Sequence, residues 1–218
     1  MWQTQLLVLG LVGWLQPVHG YDVQRELLSW GVTDWGRVKR GSIYHALKRL
    51  SADGYLEVVT TEQVSNRPER TTYKITQKGG LHFQSMLRDR LWDTTLTFDQ
   101  FWVPWSFIAA LSHREATAVL RNRAQSLRAN NATQTEELSR RSSDRTDPMF
   151  IPEHVVRAIQ LQGAQHRLEA QWCLDVADEI EAGKIYTETE PYLLGTVSEQ
   201  WKAHIRQLDA DGRIPPTN

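Results

Sequence analysis

Residues 6–15 read Leu-Leu-Val-Leu-Gly-Leu-Val-Gly-Trp-Leu, a run with no polar group to turn toward water unless the Trp14 edge reaches it. A helix that is apolar on every side has to be surrounded by other elements. The run is far short of the ~20 residues that cross a bilayer, and the five residues before it hold no Lys or Arg, so a signal-peptide core fits poorly as well. The remaining solution is a first helix over residues 3–15 at the centre of a small domain, stopped by Pro17 and Gly20.

The segments that follow supply candidate walls for it. Over residues 21–30, Val23, Leu27, Leu28 and Trp30 recur at helical spacing, opposite Asp22, Arg25 and Glu26. A polar connection occupies residues 31–39. Gly41 and Ser42 then give a cap signal, and Ile43, Ala46, Leu47 and Leu50 fall at i, i+3, i+4 and i+7, which predicts a third helix over residues 42–50. Its other face carries Tyr44, His45, Lys48 and Arg49, and Gly54 marks its end. Residues 55–61 and 71–76 have the β-branched and aromatic content of strands. Between them, EQVSNRPER is too polar for a core and sets Arg67 and Arg70 around Pro68, as at the tip of a basic hairpin. Helix, helix, helix, hairpin is the order of a winged helix-turn-helix.

The rest of the chain reads as helical. Leu81, Phe83, Met86, Leu87 and Leu91 make residues 77–92 an amphipathic helix. Residues 94–111 are rich in Phe and Trp and broken at Pro104. Ser112 and Glu115 form an S-x-x-E capping pattern that opens a long helix to residue 141. A second long helix, residues 152–182, repeats Ile159, Gly163, His166, Ala170, Cys173, Ala177 and Ile180 by fours and threes, with Leu161, Leu168, Trp172 and Val176 on a flank. One side is expected to pair antiparallel with the preceding helix and the flank to meet a second molecule. A further amphipathic stretch holds Val197, Trp201, Ile205 and Leu208 before a Pro-containing, disordered tail. The reading is a mainly α chain with a DNA-binding domain at residues 1–92 and a long-helix, antiparallel coiled-coil-like dimerisation and effector domain at residues 93–218.

Charge follows the same division. The whole chain is close to neutral, but residues 1–90 carry 12 Lys and Arg against 8 Asp and Glu, net +4, and the remainder carries 13 against 18, net −5. A basic module beside an acidic one points the first at a polyanion. The single cysteine, Cys173, excludes an intramolecular disulfide and a cysteine zinc pair, which favours a reducing, cytoplasmic setting. No H-E-x-x-H, Gly-rich phosphate loop or G-x-S-x-G elbow is present, so enzyme chemistry, metal and cofactor are not expected.

Four blocks, LLVLGLV, HGYDVQREL, GSIYHALKRLSADGYLEVV and EQVSNRPERTTYKITQKG, stand in an order and spacing that resembles the PadR family of bacterial transcriptional regulators over about residues 3–92. The resemblance implies a winged-helix N-terminal domain, a helical C-terminal domain that makes a homodimer, and repression of nearby genes until a small effector or stress lowers DNA affinity. His45 departs from the family, which commonly has Pro after the Ser-Ile-Tyr run. The expected partner is double-stranded DNA with a palindromic operator, and no membrane is involved. The DNA-binding candidates are Lys39, Arg40, Ser42, Tyr44, His45, Lys48, Arg49, Arg67 and Arg70. Tyr44 either reads base edges or lies along the backbone while its ring packs on the domain, and Arg70 either follows the wing or pairs with Glu62 or Glu69. Trp92, Trp102, Trp105 and Trp172 are candidates for the pocket of a small aromatic or apolar effector, with core packing the competing reading. Cys173 is read as packing rather than as a redox sensor. The competing function is a helical protein-interaction module whose winged helix binds no specific DNA.

Overall fold

The computed structural model of the chain describes residues 2–62 and 70–185, so Arg67 and the stretch with Val197, Trp201, Ile205 and Leu208 lie outside the described residues. Two compact units emerge. Among described residues, the first comprises residues 2–91 and Leu96–Ala110, and the second comprises Trp92–Thr95 and residues 111–185.

The first unit is built around α1 (Trp2–Leu15), as the all-apolar run requires. Leu6, Leu7, Val8, Leu9, Leu11 and Val12 are completely buried, each worth ~1.5–3 kcal/mol over an exposed side chain. Around it stand α2 (Gly20–Ser29), α3 (Arg40–Ala52), α4 (Gln77–Leu91) and α5 (Phe98–Trp105). The aromatic stretch breaks where expected: Pro104 sits in the last turn of α5, and only a short 3-10 turn, Ile108–Ala110, continues it. Phe107 then reaches back to α1. A Cβ added at Gly10 would lie 2.4 Å from the Phe107 ring, so the missing side chain is what lets that ring in.

The sheet has three antiparallel strands in the order β1-β3-β2, formed by β1 (Val18–His19), β2 (Leu56–Glu62) and β3 (Arg70–Ile75). The hairpin matches the expectation. The two-residue β1 does not: residues 17–20 read as a helix stop, but Val18 pairs with Tyr73 and His19 with Thr72. A line of polar side chains crosses all three strands, with Thr60 donating to Thr72 Oγ1, itself 2.9 Å from His19 Nδ1. On α4, Phe83, Leu87 and Leu91 are buried, whereas Leu81, counted in the apolar set from spacing, is 68% exposed. Period alone places Leu81 near the margin of that stripe, and no neighbouring element among the described residues covers it.

The second unit is an α-helical hairpin of α6 (His113–Ser139) and α7 (Glu153–Glu181). Ser112 caps α6 by accepting from the Glu115 amide, as the S-x-x-E pattern requires. Cross-helix partners run early-to-late, Arg121 with Glu181, Arg123 with Glu169 and Arg141 with Glu153, so the pair is antiparallel. Ala116, Val119, Leu120, Ala124 and Leu127 of α6 are buried, as are Val156, Gly163, Ala170, Cys173, Ala177 and Ile180 of α7. One pair inside this hairpin is ionic: Glu169 Oε1 accepts from Arg123 Nε at 2.7 Å and lies 2.6 Å from its Nη2, and the Arg123 side chain is only 1% exposed. Leu161 and Leu168, on the expected flank, are 62% and 74% exposed. No helix among the described residues is long and apolar enough to cross a membrane.

Candidate nucleic-acid interface and aromatic cavity

The amphipathic reading of α3 holds residue by residue. Ile43, Ala46, Leu47 and Leu50 are buried, and Gly41, Tyr44, His45, Lys48 and Arg49 are exposed. The helix starts earlier than the Gly41-Ser42 signal suggested. Its N-cap is Lys39, no side chain caps that first turn, and the Ser42 hydroxyl donates to the Lys39 carbonyl at 2.6 Å from inside the helix. Lys39 and Arg40 therefore flank the positive end of the helix dipole, an arrangement suited to a phosphate. Gln24 of α2, absent from the sequence-derived set, donates to the Arg40 carbonyl at 3.3 Å and so holds the start of α3. An amphipathic pattern carries no sign of such a side chain-to-backbone contact.

Tyr44 is split between two surroundings. It is 40% exposed, yet its ring lies near that of Tyr73, and a Cβ added at Gly20 would meet Leu47 at 3.2 Å, Tyr73 at 3.3 Å and Tyr44 at 3.7 Å. The glycine of the H-G-Y block thus lets the start of α2 seat against α3. Burial, and then Tyr21, Tyr73 and Asp22, raise the Tyr44 phenol above its ordinary pKa, so it stays protonated and able to donate. His45 and Lys48 stand free of the core on the outer face. Arg49 has an exposed i, i+4 partner, Asp53, at 3.6 Å; such a surface pair is worth ~0–1 kcal/mol and yields readily to a phosphate. Arg70 opens β3 with its backbone in register with Glu62.

The aromatic candidates divide between the two units. Trp102 and Trp105 line a cavity of about 590 Å³ in the first unit, together with Trp14, Trp30, Trp35 and Ser106. Trp92 and Trp172 belong to the second unit and do not line it. Sequence distance concealed the other three indoles: Trp14 ends α1, and Trp30 and Trp35 bracket the connection after α2. Phe107 packs beneath them, edge-on to Trp14 with centroids 4.7 Å apart, and 6.1 Å from Trp30.

Cys173 is fully buried, and burial, reinforced by Glu169, pushes its thiol up to about 12. Thiolate reactivity needs the opposite environment, so the packing role is the one the surroundings support.

Residues 8–85 match the model of the transcriptional regulator PadR-like family. Among solved structures, the chain is similar to Bacillus subtilis PadR in complex with operator DNA, with 18% identity over 81% of this chain and 98% of that one and a TM-score of 0.32. It is also similar to Bacillus subtilis PadR in complex with p-coumaric acid, with 17% identity over 81% and 99% of the two chains and a TM-score of 0.32. Comparison with curated proteins finds no match.

Proposed function

From the match of residues 8–85 to the transcriptional regulator PadR-like family, we propose that this chain is a homodimeric repressor that reads a palindromic operator through α3 and is released by a small aromatic or apolar effector. The observation that carries the DNA-reading part is the division of α3 into a buried apolar stripe and an exposed face of Tyr44, His45, Lys48 and Arg49, flanked by Lys39 and Arg40. Lys39, Arg40 and Lys48 supply phosphate contacts, Ser42 braces the first turn, and His45 and Tyr44 sit where side chains reach base edges or the adjacent backbone. Arg67 and Arg70 take the wing. Residues 1–92 are the DNA-reading domain and residues 93–218 the dimerising and effector domain, with residues 96–110 of the latter packed on the former. The exposed Leu161 and Leu168 on α7 support dimerisation, because large apolar side chains at these exposures are natural contacts for a second subunit. Two such subunits present their third helices to successive major grooves, about 10 base pairs apart.

The test is binding to fragments of the chain's own promoter that carry an inverted repeat, against random DNA of equal length, over a range of salt. Specific fragments are expected to bind more tightly, and Lys48→Ala to flatten the plot of log affinity against log salt by about 0.9 for its lost phosphate contact. Equal affinity for random DNA at moderate salt overturns the regulator reading. An unchanged slope removes Lys48 from the interface.

A further inference from the structure

Among the described residues, the cavity of the first unit is lined by five indoles and one serine, and by no lysine, arginine or histidine. Three of those residues turn their donors into the protein. Trp30 Nε1 donates to Glu26 Oε1 at 2.8 Å, Trp35 Nε1 to the Trp30 carbonyl at 2.7 Å, and the Ser106 hydroxyl to the Trp102 carbonyl at 2.9 Å. What Trp30 and Trp35 offer a guest is therefore ring surface rather than N–H, and the Ser106 hydroxyl proton is already committed. The rings are set at steep angles to one another, Trp14 to Trp30 at 54° and Trp102 to Trp105 at 76°, so they line an open hollow in several orientations instead of stacking flat.

Ring surface has a sign. The face of an indole is the negative end of its quadrupole, and Trp holds a cation better than Tyr or Phe does. The buried Glu26 acceptor, 2% exposed, draws on the Trp30 N–H and so enriches the electron density of that ring. Of the cations near these tryptophans in sequence, Arg25 is engaged by Asp22 at 2.8 Å and lies over the Tyr21 ring, and neither it nor Arg37, two residues after Trp35, lines the cavity. A carboxylate or phosphate entering this site would lose its hydration with no cation in the lining to receive it. A bulky cation with its charge spread over aromatic groups loses little hydration and meets π faces on several sides.

We propose that the Trp14, Trp30, Trp35, Trp102 and Trp105 cavity is a binding site for bulky aromatic cations, selecting them by charge against anions of the same shape. The proposal deepens the effector reading and rests on it only for the consequence at DNA; binding in the cavity needs no DNA.

Tetraphenylphosphonium and tetraphenylborate have nearly the same shape and opposite charge, and each can be titrated calorimetrically into the full chain. The cation is expected to bind at least tenfold more tightly than the borate. Trp35→Leu and Trp105→Leu keep an apolar lining but remove a π face, and each is expected to weaken the cation by about three- to thirtyfold. Trp35→Phe, which retains a ring and lies in a connection rather than in the core, keeps the loss below that of Trp35→Leu, and it serves where a leucine variant fails to fold. Borate binding as tight as the phosphonium, or leucine variants that bind the phosphonium as wild type does, overturns the proposal. If calorimetry shows the charge preference but promoter binding is unchanged by saturating phosphonium, the cavity assignment stands and the effector reading fails. Failure in calorimetry overturns the cavity assignment and leaves the DNA-reading role untouched.

Discussion

Removing the carboxylate of Glu169 leaves Arg123, 1% exposed, as a charge inside the α6–α7 hairpin with its principal anionic partner gone. Both close contacts, from Nε and Nη2, fall on the single oxygen Oε1, so one substitution deletes them together. Breaking a buried pair by deleting one partner typically costs ~3–5 kcal/mol, because the surviving charge is stranded out of water. Glu169→Ala is therefore expected to destabilise the hairpin by about that amount, most of a marginal domain's stability. Glu169→Gln keeps an oxygen of the same reach but no charge, and about half of the loss is expected, since hydrogen bonds to charged groups are worth ~1.5–3 kcal/mol. The informative variant is the double replacement Arg123→Met with Glu169→Leu. With both charges gone and volume conserved, the stability should return to near wild type or exceed it, as found for buried pairs in general. Denaturant unfolding followed by far-UV circular dichroism, with fixed protein concentration to hold any association constant, measures wild type and all three variants. If Glu169→Ala costs under ~1 kcal/mol, the pair behaves like an exposed one and the argument from burial is wrong. If the double variant is as unstable as Glu169→Ala, the loss comes from packing and not from a stranded charge.

At Gly10 two effects oppose each other. Alanine gains ~1 kcal/mol of helix propensity over glycine, but its Cβ would meet the buried Phe107 ring at 2.4 Å and overpacking costs ~1–3 kcal/mol. Gly10→Ala is expected to lower the thermal midpoint, and Phe107→Leu in the same chain to recover part of the loss; a rise in the midpoint for the single variant refutes the close contact. Cys173 gives a pH signature. An unperturbed thiol titrates at 9.0 and this one is raised to about 12 in the fold, so the stability it contributes is complete below pH 9.0 and is lost as pH climbs toward 12. Cys173→Ala should flatten the fall in unfolding free energy over that window, and iodoacetamide should label wild type in mildly alkaline buffer only as fast as the hairpin opens. Rapid labelling of the native chain contradicts the burial.

The contrast between what periodicity discloses and what it hides has a physical basis. A run such as Leu6–Leu7–Val8–Leu9 states its own burial, because no orientation of a lone helix avoids exposing it. Ile43, Ala46, Leu47 and Leu50 state theirs through spacing, and the exposed Tyr44, His45, Lys48 and Arg49 follow by subtraction. Ser112 and Glu115 declare a helix start because cap and amide are neighbours in the chain. The features that escape are set by contacts between distant residues. Val18 and His19 form a strand only because β3 lies beside them, more than fifty residues later. The start of α3 slips by two residues because Ser42, an excellent cap in isolation, is used inside the first turn as a donor to Lys39. Trp102 and Trp105 are visible as an aromatic cluster, whereas Trp14, Trp30 and Trp35 join them only once α1, α2 and α5 have packed.

The return of Leu96–Ala110 to the first unit bears on how chains of this architecture can be recombined. A chimera cut after residue 92 would keep the whole family-matched head in sequence, yet it would leave behind Phe107, which fills the notch at Gly10, and the α5 residues that cover the end of α1. Such a head would carry a wound of exposed Trp14 and Trp30. The junction that keeps the head whole falls after residue 110. A graft made there carries α5 and its two tryptophans with the head, so everything downstream could be exchanged while leaving the aromatic chamber where it was.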